Sequence, residues 1–199
     1  MQEEFLSVRA DEVTYLSTIL TRRNQSVSAT ASGAGVIKNA KKAILAVSFG
    51  TSVVATRVAN IDLLERELQV AYPEYEVRRA FTSKTVRARI AAEEGIKVDS
   101  AQEALERLQQ EGFDEVLVQP THIIPGEEYD RLTEAMMQFH QSGAFVSLKL
   151  GRPVLCQEGN VAGQVDDFMI AVEALQTQLP VCADAERTRV ILMGHGSGG

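Results

Sequence analysis

Cysteine is scarce in this chain: Cys156 and Cys182 lie 26 positions apart with no histidine close to either. That spacing fits neither a zinc pair nor a redox pair, and a disulfide-stapled scaffold is excluded. Long apolar runs are missing as well. No uninterrupted stretch approaches the roughly 18 to 20 residues of a membrane-spanning helix, and Met1-Gln2-Glu3-Glu4 lacks the basic start and apolar follow-on of a secretion signal. Positive charge is in deficit, with 20 Lys and Arg against 27 Asp and Glu and a formal charge of −7. A global electrostatic footprint for nucleic acid is therefore absent, and any anionic ligand must be met by a local patch. The expectation is a cytoplasmic enzyme or binding protein with neither nucleic acid nor membrane as partner.

What is present is ordinary for a folded protein: 199 residues, 45% hydrophobic and 24% charged, enough for about one domain or a little more. Residues 1–40 stand apart. Between Arg22 and Gly35 the chain is rich in Ser, Thr, Ala, Asn and Gly without a sustained apolar period, so it reads as an extension and loose linker. Phe5, Val8, Val13, Leu16 and Leu20 ahead of it fit a short amphipathic helix. No cofactor or targeting signal accompanies them, and a dispensable segment is expected.

From Lys41 onward, apolar runs alternate with helical periods, the pattern of a parallel sheet covered by helices, an α/β fold. Ala43-Ile44-Leu45-Ala46-Val47 reads as a strand buried on both faces. Val54, Val58, Ile61, Leu64 and Leu68 then predict one helix, closed near Pro73. Tyr75, Val77, Arg79 and Phe81 alternate as a second strand, and Thr82 or Ser83 is expected to cap a short helix through Ile90. Ser100-Ala101-Gln102-Glu103 is a capping-box pattern for a helix to Gln110, with Gly112 as its stop. Val116-Leu117-Val118 is the next strand, ending at Pro120-Thr121-His122. A helix around Tyr129, Leu132, Met136 and Phe139 stops near Gly143, and residues 145–150 make a fourth strand. Residues 151–160 read as a crossover leading to a helix with Val161, Val165, Phe168, Val172, Leu175 and Leu179, ended by Pro180; Val190-Ile191-Leu192-Met193 is the last buried strand expected.

Open α/β sheets bind ligands beyond the carboxyl ends of their strands. The segments so placed are residues 48–52, 81–83, 120–122 and 194–197, and two of the three histidines fall among them. His195 lies between Gly194 and Gly196, which remove bulk and let a large ligand or a metal approach the ring. A neutral imidazole can bind a transition metal or take a proton near pH 7; the plainer reading is a histidine satisfying a glycine turn. His122 is bracketed by Pro120 and Pro125 in a rigid loop that either shapes a wall or serves a ligand. Glu127 and Glu128 behind it suit a cation or a helix start. His140, at a helix end, reads as structural. Arg78, Arg79, Lys84, Arg87 and Arg89 form a local basic cluster that a polycarboxylate could use, although a solvated helix face accounts for Arg87 and Arg89. Two motifs are near misses: residues 194–198 lack the glycine placement of a nucleophile elbow, and Gly50-Thr51-Ser52 lacks the lysine of a P-loop.

Four phrases follow one another along the chain: Val47-Ser48-Phe49-Gly50-Thr51-Ser52, Arg79-Ala80-Phe81-Thr82-Ser83, Gln119-Pro120-Thr121-His122-Ile123-Ile124-Pro125-Gly126-Glu127-Glu128-Tyr129, and Met193-Gly194-His195-Gly196. In this order the chain resembles the anaerobic-type sirohydrochlorin cobaltochelatase family of class II chelatases, which insert cobalt into a reduced tetrapyrrole during cobalamin synthesis. The resemblance implies a chelatase-like fold of two similar α/β lobes with the tetrapyrrole between them. It implies His195 as catalytic base and metal ligand, and Ser48, Phe49, Gly50, Thr51, Ser52, His122, Gly194 and Gly196 as substrate-binding residues. The metal, Co2+, is then a substrate, no organic cofactor is needed, and a homo-oligomer is left open. The resulting division is an extension (1–40), a first lobe (41–150), a crossover and helix (151–187), and the opening strand and turn of an incomplete second lobe (188–199). Two further metal ligands, a glutamate and a histidine, are expected from that second lobe, so the alternative is a fragment that only binds tetrapyrrole or metal.

Overall fold

The run Ala43-Ile44-Leu45-Ala46-Val47 is buried from end to end because it belongs to an inner strand, β1 (Lys42–Ser48), with a neighbour on each side. The computed structural model describes residues 40–159 and 165–179, together with residues 189 and 191. Three more strands, β2 (Glu76–Phe81), β3 (Glu115–Pro120) and β4 (Ser147–Leu150), complete a sheet of order β2-β1-β3-β4. All pairings are parallel, with Val47 opposite both Ala80 and Pro120. β4 is shorter than the stretch expected from Phe145.

Helices cover both faces. On one, α1 (Leu63–Ala71) packs Leu64 and Leu68 on Ile44, Ala46, Val77 and Leu117. On the other, α3 (Ala101–Gln110) and α4 (Glu127–Ser142) pack Leu105, Leu108, Leu132, Met136 and Phe139 against Leu45, Val47, Val116 and Val118. Fully burying one such leucine contributes about 1.5–3 kcal/mol. Right-handed crossovers demand this division: β1 to β2 moves one way across the sheet, while β2 to β3 and β3 to β4 move the other. The direction reverses between β1 and β3, so their carboxyl ends flank the open crevice of the sheet.

Local chemistry sets the helix ends. Ser83 accepts from the Val86 N–H and starts α2 (Lys84–Glu94), which runs four residues past the expected Ile90 to a left-handed Gly95. The capping box is formed: Ser100 accepts from the Glu103 N–H at 3.2 Å, and Glu103 accepts from the Ser100 N–H at 2.8 Å. Gly143, at φ +64°, closes α4.

Two helices depart from the expectation. The segment ahead of α1 is one α turn (Val54–Thr56) followed by a π-helical stretch (Arg57–Asp62). Its wider i→i+5 turn breaks the 3.6-residue period, so Val54 and Val58 are exposed and Arg57 faces inward. The last helix, α5 (Asp167–Gln178), begins after Val165 because Asp166 caps it, accepting from Phe168 and Met169 N–H at 3.0 Å. Its Phe168, Val172 and Leu175 are exposed. Of the strand expected at residues 190–193 only Ile191 is described; it is 87% exposed and joins no strand. The extension up to residue 39, Val161 and Cys182 lie outside the described residues.

Candidate functional site

β1 and β3 are hydrogen-bonded along their length and part at their carboxyl ends, where the Thr121 N–H still donates to the Val47 carbonyl at 2.9 Å. Beyond that point the Thr121 hydroxyl donates to Ser48 Oγ at 3.0 Å, tying two loops that are 73 positions apart. A cleft of about 420 Å³ opens above this tie. Ser48, Phe49 and Gly50 line it from β1, Thr121, His122, Ile123 and Ile124 from β3, and Gly126 to Tyr129 from the start of α4. Four residues expected from the sequence, Ser48, Phe49, Gly50 and His122, are thus brought together.

The β1 loop is held rigidly. Gly50 has φ +92°, and a Cβ there would lie 2.5 Å from Cδ2 of the fully buried Phe81 ring. Only glycine fits so close an approach at that angle. Phe49 is thereby turned outward, 53% exposed at the cleft edge. Thr51 and Ser52 do not line the cleft: Thr51 Oγ1 accepts from the Val53 N–H at 3.2 Å, and its carbonyl accepts from Arg57 at 3.4 Å. Arg57, turned inward by the π-helical stretch, makes a bidentate pair with Glu94, with Nη1 to Oε1 at 3.0 Å.

The β3 loop is anchored by the crossover. The Val154 and Leu155 N–H groups donate to the carbonyls of His122 (2.9 Å) and Ile123 (2.7 Å), and the Tyr129 hydroxyl donates to the Gly151 carbonyl at 3.1 Å. The buried Asp167 holds the crossover in turn, accepting from Cys156 N–H at 3.1 Å and Gln157 N–H at 2.8 Å. Cys156 is an exposed free thiol. The His122 ring stands edge-on to Tyr129, centroids 6.4 Å apart. Both of its nitrogens are shielded from solvent and lack a hydrogen-bond partner among the described residues. Burial pushes its pKa down, and the Glu128 carboxylate pulls weakly the other way. The imidazole is therefore favoured as a neutral ring.

Other expectations resolve differently. The four arginines of the basic cluster are already paired. Arg78 pairs with Glu76 and Glu111 at 2.6 Å, Arg79 with Asp62 and Glu65, Arg87 with Glu103 at 3.1 Å, and Arg89 with Glu93 at 2.8 Å. Arginines whose forks already hold carboxylates have no unmet demand for a polycarboxylate. Glu127 and Glu128 both contact Arg131 in the first turn of α4. Among the described residues no group of three or more His, Cys, Asp or Glu is arranged to hold a metal, and no helix is long and apolar enough to cross a membrane. His140 sits exposed in the last turn of α4, as expected. His195, Gly194 and Gly196 lie outside the described residues. Sequence reasoning missed Arg57 and Glu94, and it read Tyr129 only as helix core; the bracketing of His122 by two prolines was the available signal for the loop.

Comparison with known proteins bears directly on this cleft. The family model described as cobalt chelatase (CbiK) matches residues 42–198, a span that takes in all four phrases and His195. A sirohydrochlorin cobaltochelatase of Salmonella typhimurium is 34% identical over 157 residues, covering 79% of this chain and 55% of that protein. Sirohydrochlorin cobaltochelatase CbiKC of Nitratidesulfovibrio vulgaris is 32% identical over 157 residues, covering 79% of this chain and 52% of its own length. The chain spans about half the length of the curated relatives it matches. With a parallel sheet flanked by helices and a family match over most of its length, the chain belongs to the cobalt chelatase (CbiK) family.

Proposed function

We propose that this chain acts in the insertion of Co2+ into sirohydrochlorin, the metal-inserting step of anaerobic cobalamin synthesis. The observation that carries the reading is the cleft at the crevice between β1 and β3, where the Ser48-Phe49-Gly50 loop meets His122. Its walls suit a flat macrocycle. Phe49, Ile61, Ile123 and Ile124 offer apolar surface, and Gly50 lines the cleft beside them. Residues 41–150 serve on this reading as one chelatase-like lobe, with its cleft face toward the ligand.

His195 is the residue assigned to metal binding and proton removal, with Gly194 and Gly196 giving the macrocycle room. Ligand binding and base action both require its imidazole to be deprotonated first. The affinity order of nitrogen and oxygen sites favours nickel and copper over cobalt, so preference for Co2+ must come from geometry and supply. The names of the relatives, both sirohydrochlorin cobaltochelatases, support this substrate pair.

The test is single-turnover absorbance of metal-free sirohydrochlorin mixed with the chain and Co2+. A cobalt-dependent conversion faster than the protein-free reaction, abolished in His195→Ala, is the expected result. Sirohydrochlorin binding without metallation would instead make the chain a tetrapyrrole binder. Absence of both would remove the proposal.

A further inference from the structure

Arg57 combines two uncommon features beside the cleft. Its side chain is only 9% exposed, a burial that arginine tolerates only when paired. What turns it inward is the π-helical stretch Arg57–Asp62, and turns of that kind occur mostly as single-turn insertions, frequently at functional sites. Stability alone does not account for its pair with Glu94, because a well-packed apolar pair of similar volume is often at least as stable as a buried ion pair.

The bonds of this side chain show what it holds. Nη1 donates to Glu94 Oε1 at 3.0 Å and to the Thr51 carbonyl at 3.4 Å, and Nη2 donates to Glu94 Oε2. Thr51 directly follows Gly50 in the β1 loop. On the loop's other side the Ser83 N–H, at the start of α2, donates to the Phe49 carbonyl at 3.3 Å. Glu94 is the last residue of that same helix. Both ends of α2 therefore hold the loop, one through Ser83 and the other through the Arg57 guanidinium. Ile61, four positions after Arg57 in the π-helical stretch, lines the cleft with Ser48, Phe49 and Gly50. One fork thus ties two pieces of the same wall, the loop and the π-helical turn, to α2.

On the cobalt-insertion reading, on which this inference rests, we propose that Arg57, clamped by Glu94, is a positioning residue that holds Phe49 and Ile61 at the spacing a flat macrocycle enters. A planar fork serves a carboxylate and a carbonyl at once; an ammonium, a point charge on a flexible stem, does not reproduce that geometry. A wall fixed in advance spares the ordering of its side chains when sirohydrochlorin binds. Arg57 itself does not line the cleft. Its effect therefore falls on macrocycle affinity and not on the metal-insertion step.

The experiment compares wild type with Arg57→Met/Glu94→Met, which fills the same space without a donor to Thr51, and with Arg57→Lys, which keeps the charge and loses the fork. Sirohydrochlorin affinity is measured by titration, metallation by single turnover with Co2+ at saturating sirohydrochlorin, and the free proteins by amide hydrogen exchange. The double variant should bind sirohydrochlorin about tenfold more weakly, as for two side chains that must be ordered on binding. Its rate at saturation should stay within about threefold of wild type. Arg57→Lys should fall between the two in affinity, and it carries the same comparison if the double variant does not fold. In the free double variant the Val53 and Ser83 N–H groups, which donate into the loop, should exchange faster, with those of β3 and α3 unchanged. Unchanged affinity, a rate lost at unchanged affinity, or faster exchange across the whole sheet, as a merely stabilising pair gives, would overturn the assignment. Wild type that binds no sirohydrochlorin removes the function proposed above and this role with it. A wild type that binds, beside variants that bind equally well, removes only the role of Arg57.

Discussion

Replacing Gly50 by alanine tests the cleft's architecture most sharply, because two separable penalties meet at one atom. The φ of +92° disfavours any residue with a Cβ by about 1–2 kcal/mol. The added Cβ would also lie 2.5 Å from Phe81 Cδ2 and 2.6 Å from Cγ, and Phe81 is sealed in the core with no free direction to yield. Overpacking of that kind costs about 1–3 kcal/mol. Gly112→Ala supplies the control: its φ is +74°, and nothing lies within 4 Å of the position its Cβ would take. A less flexible unfolded chain offsets about 0.4–1 kcal/mol in both variants and cancels in the comparison. Gly50→Ala should therefore be less stable than Gly112→Ala by about 1–3 kcal/mol. With a urea m-value of roughly 2 kcal/mol/M, the two midpoints should differ by about 0.5–1.5 M. Equal midpoints would refute the claim that contact with Phe81, and not backbone angle alone, requires glycine at the cleft floor.

Three further outcomes are expected. Glu94→Gln strands a guanidinium whose side chain is only 9% exposed, so it should cost about 3–5 kcal/mol in urea unfolding, and an Arg57→Met/Glu94→Met double variant should recover much of that loss. Ser100→Ala removes the cap of α3 and should cost about 1 kcal/mol. The same cap holds the Glu103 carboxyl down to about 2, chiefly through the Ser100 N–H and hydroxyl. A carboxyl lowered on folding stabilises above its unfolded pKa of about 4.5 and loses that contribution as pH falls toward 2, so acid unfolding of Ser100→Ala should show a shallower dependence in that window. For His122 the sign runs differently: burial lowers its pKa below 6.5, so the unfolded chain binds more protons and stability declines as pH drops below about 6.5. His122→Gln should flatten that decline in unfolding midpoints measured between pH 7.5 and 5.

The sequence by itself determined whatever depends on near neighbours along the chain. The unbroken apolar run at Ala43 to Val47 meant a strand buried on both faces, Ser100 and Glu103 meant the capped start of α3, and Gly143 meant the end of α4, because each signal concerns residues within a few positions of one another. The rule that ligands meet the carboxyl ends of strands pointed to whole segments, among them residues 48–52 and 120–122, of which Ser48, Phe49, Gly50, Thr121 and His122 line the cleft. Tertiary structure decided the rest. It alone turned the four arginines of the basic cluster into neutralised pairs, since Glu65 and Glu111 reach Arg79 and Arg78 from 14 and 33 positions away. It alone placed Arg57 inward, because the π-helical stretch changes which side chain faces the sheet. The strand order, which sets β1 beside β3, joined Ser48 to Thr121 across 73 residues and made a cleft of two loops. Periodicity records which face of an element is apolar; which elements stand side by side follows from how those faces are buried together.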